Sequence, residues 1–90
     1  MDTWNKYVKR LVKSEMLKRD VKVEQLVILL RNIGVNETKS SINSKISRGT
    51  FSAAFLLQVL QVIGCKELDI ISPIEMNLKI ESQLQSSLAL

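Results

Sequence analysis

KVEQLVILLRNIGVNETKSSINSKISRGTFSAAFLLQVLQVIG, residues 22–64, is the stretch on which the fold turns. The chain's three glycines all lie within it, at Gly34, Gly49 and Gly64. Each closes a segment of helical character, the place where a left-handed residue ends a helix. Before Gly34, a helix from Lys22 or Val23 to Asn32 turns Leu26, Leu29, Leu30 and Ile33 inward. Between Gly34 and Gly49, Asn36 or Thr38 caps a helix that reaches Arg48. Its only apolar residues are Ile42 and Ile46, one turn apart. Between Gly49 and Gly64, Ser52 caps a nearly all-apolar helix over 53–63. Ala53 and Ala54 would let another helix approach closely, so this helix is expected at the centre of the core.

Outward from that stretch, residues 3–19 form a first helix capped by Thr3. Trp4, Val8, Leu11 and Val12 make its apolar stripe, Tyr7 and Met16 stand at the edges, and Lys6, Lys9, Arg10 and Lys13 fill the other side. Glu15 falls inside the stripe, and a buried carboxylate requires a partner. Asp20 and Val21 break the pattern. After Pro73 the rhythm changes: Ile74, Met76, Leu78 and Ile80 alternate with Glu75, Asn77, Lys79 and Glu81. The alternation favours a strand. A helix using Met76, Ile80, Leu84 and Leu88 is the other reading. A lone strand needs a partner for its backbone groups, so Ile74, Met76, Leu78 and Ile80 are expected to dimerise the chain.

Composition agrees with an all-α fold. The 90 residues are 46% hydrophobic and 24% charged, with one proline and four aromatic residues, Trp4, Tyr7, Phe51 and Phe55. The expected organisation is one helical domain over 1–72 and a C-terminal extension over 73–90. No apolar run approaches the roughly 20 residues that span a bilayer. The N-terminus lacks the layout of a secretory signal, and a cytoplasmic location is expected. Histidine is absent and Cys65 is the single cysteine. An imidazole base, a disulfide within the chain and a multi-cysteine metal site are thereby excluded. Cys65, with no histidine to activate it, reads as an inert thiol rather than a nucleophile. No catalytic residue, metal, cofactor or small-molecule substrate is expected, and the chain reads as no enzyme.

The net charge of +4 is unevenly distributed. Residues 1–50 hold eleven Lys or Arg against five Asp or Glu, and residues 51–90 hold two against four. Cations gathered in the half that carries the polar third helix suit a polyphosphate, from which they displace condensed counterions. Ser40, Asn43 and Ser44 can donate and accept at base edges, while Lys39, Lys45 and Arg48 can hold phosphates. A solvated helix face with no partner is the competing reading of the same residues.

Order along the chain adds to this. Three helices, a glycine and then an apolar helix resemble the Cro- and lambda-repressor-like family of helix-turn-helix DNA-binding domains, with residues 22–64 as the matching unit. That resemblance implies a four- to five-helix repressor-like domain whose third helix, about 38–48, enters the major groove of double-stranded DNA. By position it implies that Lys39, Ser40, Asn43 and Ser44 face bases. It also implies that Lys45, Arg48, Thr50 and Ser52 face phosphates, with Lys22 and Gln25 at the second helix. Lys22, Val23 and Val27 stand where that family usually has a capping residue, a Gln and an Ala, and Ser47 where it has a Glu. Repressor-like domains often pair an Arg of the first helix with a Glu elsewhere. With the signs exchanged, Glu15 is expected to pair with Arg48 or Lys45.

The run from Trp4 to about Ile70 is also similar to a bacterial family catalogued as a domain of unknown function. The shared features are the tryptophan-led first helix, the Lys-Ile-Ser-Arg-Gly segment at 45–49 and the Phe-Ser-Ala-Ala-Phe segment at 51–55. The function expected is sequence-specific DNA binding by a homodimeric transcription regulator. A protein-interaction module, antitoxin- or adaptor-like, is the alternative use of the same helices.

Overall fold

A computed structural model describes residues 3–68 and 70. Within them are four helices: α1 (Thr3–Lys18), α2 (Val23–Asn32), α3 (Lys39–Arg48) and α4 (Ala53–Val62). The described residues are all-α, with no strand among them. The expected strand, with Ile74, Met76, Leu78 and Ile80, lies outside the described residues. No described helix is long and apolar enough to cross a membrane.

Local chemistry sets the ends of these helices. Asp20 takes a left-handed backbone (φ 54°) and turns the chain between α1 and α2. Lys22 precedes α2 and has no side-chain acceptor. Gln25 supplies one instead, its Oε1 taking the Lys22 N–H at 2.9 Å. Of the two candidate caps for α3, Thr38 does the work: its Oγ1 accepts the Ser41 N–H at 3.0 Å. Ser52 caps α4, accepting the Phe55 N–H at 3.0 Å.

The core gathers one face from each helix. Val12 and Met16 come from α1, Leu26 and Leu30 from α2, Ile42 and Ile46 from α3, and Phe55, Val59 and Leu60 from α4. Ile63 and Cys65 close it. Both α1 and α2 pack against α3 and α4, so the four helices ring the core with α1 opposite α2 and α3 opposite α4.

Several inward assignments need correcting. Ile33 is 49% exposed, because it is the cap after the last turn of α2 and leaves the helical projection. Leu29 is only half-buried, and Val23 and Val27, on the other flank of Leu26 and Leu30, pack against the core instead. Trp4 is half exposed and rests on Tyr7, ring centroids 6.4 Å apart. Met16, expected at the edge of the α1 stripe, is buried. Ala53 and Ala54 are exposed, as is Leu57. The helices that approach α4, α1 and α2, meet the side that buries Phe55, Val59 and Leu60 instead.

Gly49 fixes the relation of α3 to α1. It is buried and left-handed (φ 66°), and it ends α3 by donating its N–H to the carbonyls of Lys45 and Ile46, each at 3.1 Å. A β-carbon placed there would stand 2.2 Å from the Asn5 carbonyl oxygen. The backbone of α1 is thus in contact with the end of α3, an approach open only to glycine.

Candidate nucleic-acid interface

Because α3 commits only Ile42 and Ile46 to the core, the rest of its surface is polar and much of it faces outward. Lys39, Asn43 and Ser47 succeed one another at four-residue spacing, and all three are exposed. Ser40 is exposed beside them, as are Arg48 and Thr50 at the far end, whereas Ser44 is half-buried. Ser47 was not among the positions that the repressor-like resemblance singles out. Its spacing of four from Asn43 is the signal that would have found it.

Two of the expected phosphate-facing or base-facing lysines already have anionic partners. The Lys39 ammonium lies 2.6 Å from Glu24 of α2, with both side chains more than half exposed. Such a pair is weak and opens readily. The hydrogen bond from Lys39 holds the Glu24 carboxyl below its ordinary range. Lys45 is held more firmly. It pairs with Glu37, whose other oxygen accepts the Ser41 hydroxyl at 2.7 Å, and its ammonium sits 4.7 Å from the centre of the Phe55 ring. The Glu37 carboxyl is lowered, mainly by Lys45 and then by Ser41. Lys45 therefore joins the start of α3 to α4.

Other expected site residues carry structural duties. Ser52 is exposed, but its oxygen is the α4 cap; Gln25 is exposed, but its oxygen caps α2. Lys22 and Arg48 are exposed with no ion pair among the described residues.

The expected pairing of Glu15 with Arg48 or Lys45 does not form. Glu15 is buried, and its oxygens accept from Lys18 Nζ at 2.7 Å and Arg19 Nη1 at 2.9 Å, both within a turn along the chain. The local partners win because they reach the carboxylate without crossing the core. The Cys65 thiol, 3.4 Å from Glu15 Oε1 and 3.3 Å from the Glu67 carbonyl, completes the group. Hydrogen bonding from Lys18 lowers the Glu15 pKa against the opposing effect of burial. Burial, then the Glu15 hydrogen bond, raises that of Cys65. The thiol stays protonated and serves as a link between α1 and the chain after α4.

A groove of about 460 Å³ runs beside α3. Apolar Met16, Val21, Val23 and Ile46 line it, together with the cations Lys13 and Lys22 and with Asn43 and Ser47 of α3. The polar row of α3 thus opens onto a trough edged by two cations, one from α1 and one from the residue just before α2.

In class, the described residues are a small all-α domain of four helices whose third helix is polar and outward-facing. Residues 4–68 match the family described as a domain of unknown function (DUF6471), and the chain belongs to that family. No curated protein and no solved structure matches it.

Proposed function

We propose that this protein is a helix-turn-helix regulator that binds double-stranded DNA sequence-specifically as a homodimer, with α3 in the major groove. The observation that carries this reading is the exposed row Lys39, Asn43 and Ser47, with Ser40 beside it, on a helix held at both ends. The Thr38 cap and the Gly49 contact with α1 hold that helix rigid. Amide and hydroxyl groups on a preorganised helix suit base edges, where a bidentate Asn contact discriminates adenine by about 1–3 kcal/mol. Arg48 and Thr50, exposed just past Ser47, stand where phosphates flank a helix lying in the groove. Lys39 reaches a base by opening its exposed pair with Glu24. The homodimer rests on the alternation of Ile74, Met76, Leu78 and Ile80 in the sequence. Selection from a pool of genomic duplex fragments tests the proposal: it should enrich a shared site with two related halves. Enrichment of no common sequence, with all fragments held alike, would contradict it.

A further inference from the structure

The outer face of α1 is a strip of positive charge that the fold itself does not use. Lys6, Arg10 and Lys13 recur at helical spacing and are exposed; Lys9 lies alongside, half-buried. None has an acidic partner among the described residues, where the ion pairs are Lys18 and Arg19 with Glu15, Lys39 with Glu24, and Lys45 with Glu37. Glu15, the one acid in α1, is buried on the opposite side of the helix and is neutralised there. The strip is locally unfavourable. Lys6 and Lys9, Lys6 and Arg10, Lys9 and Lys13, and Arg10 and Lys13 are all like-charge pairs at spacing three or four. Lys6 also sits in the first turn of α1, where the helix dipole disfavours positive charge. Helix stability gives no reason for them; an anionic partner does.

Position says which partner. Gly49, at the end of α3, touches Asn5 near the start of α1, while Lys13 shares a groove with Asn43 and Ser47. The two helices therefore lie side by side, and Lys13, at the C-terminal end of the strip, borders the flank of α3 that exposes Asn43 and Ser47. Lys22, at the head of α2, faces that groove as well. From Lys6 to Lys13 the helix advances about 10 Å, roughly the axial rise of three nucleotides of one strand.

We infer that Lys6, Arg10 and Lys13 of α1, together with Lys22, are the main phosphate-holding surface for duplex DNA, the strand backbone lying along α1 while α3 enters the groove beside it. The inference rests on the DNA-binding reading above. It transfers the backbone contact from Lys45, which is committed to Glu37 and Phe55, to cations with no other partner.

The experiment measures the salt dependence of duplex binding for the full chain, for the triple variant Lys6→Gln, Arg10→Gln, Lys13→Gln, and for Lys66→Gln. Lys66 follows Cys65, which contacts Glu15 on the far side of α1, so its loss reports a missing charge alone. All four substitutions are at exposed positions, and circular dichroism of each variant checks the fold. The slope of log affinity against log salt should fall by about 1 for each phosphate contact removed, hence by about 3 in the triple variant. Lys66→Gln should leave it nearly unchanged. A wild-type slope retained by the triple variant would overturn the inference and leave the reading of α3 standing. A wild-type chain that ignores duplex DNA at low salt, or prefers vesicles of anionic lipid, would overturn both.

Discussion

Replacing Gly49 with alanine tests the joint on which the position of α3 depends. Two penalties act there. A β-carbon on a left-handed residue (φ 66°) costs about 1–2 kcal/mol. The same carbon would stand 2.2 Å from the Asn5 oxygen, 2.9 Å from its carbonyl carbon and 3.3 Å from its α-carbon. All three are backbone atoms, so α1 and α3 must separate, and overpacking of this kind adds about 1–3 kcal/mol. Gly34 provides an internal comparison. It is also left-handed (φ 83°), but a β-carbon there meets nothing within 4 Å, so only the first penalty applies. Gly49→Ala should therefore lose about 2–5 kcal/mol and Gly34→Ala about 1–2 kcal/mol. In a domain of this size each kcal/mol moves Tm by about 4–8 °C. Urea and thermal unfolding followed by circular dichroism measure both variants. Equal stability of the two would show that α1 does not touch the end of α3 as described.

Thr38→Ala and Ser52→Ala should each destabilise the chain by about 1 kcal/mol in urea unfolding, the usual effect of losing a side-chain helix cap. Glu15 makes stability depend on acid. Its lowered pKa means that the folded state keeps the carboxylate ionised where the unfolded chain protonates it. This contribution is fully present above the ordinary glutamate value of 4.5 and is lost as pH falls through the folded value. Glu15→Gln should be less stable than wild type at pH 7, and the difference should shrink in unfolding experiments below pH 4.5. Cys65, buried and with its pKa raised, should react slowly with an aromatic disulfide reagent in the folded chain and promptly in urea.

Helix ends were readable from the sequence because their chemistry is local. A hydroxyl three residues ahead of an amide, or a glycine after the last periodic position, announces itself wherever the chain goes. The core pairs Leu26 with Leu30 and Ile42 with Ile46 were equally plain, since four-residue spacing marks one face of a helix. The side of α4 that faces inward was not legible. With ten residues and no charge in that helix, the pattern cannot tell Ala53, Ala54 and Leu57 from Phe55, Val59 and Leu60. Only packing between helices chooses. The contact of Gly49 with Asn5 and the hydrogen bond of Cys65 to Glu15 join residues far apart in sequence, and no spacing rule reaches them. Glu15 taught the opposite lesson. Its partners at 18 and 19 stand three and four residues on, the spacing that shares a helix face, and the distant pairing suggested by the repressor-like resemblance was unnecessary. In the candidate interface, the exposed row of α3 followed from how few apolar residues that helix has. The acids that occupy Lys39 and Lys45 come from other turns of the chain and were hidden until the helices were placed.

The proposed reading of DNA by the outward row of α3 is most directly measured at Asn43. Asn43 is exposed, so Asn43→Ala should leave folding intact. Titrated with the duplex enriched by selection, the variant should lose about 1–3 kcal/mol of affinity and keep its affinity for random duplex. Full retention of the preference for the selected duplex by Asn43→Ala and by Ser40→Ala would contradict the account.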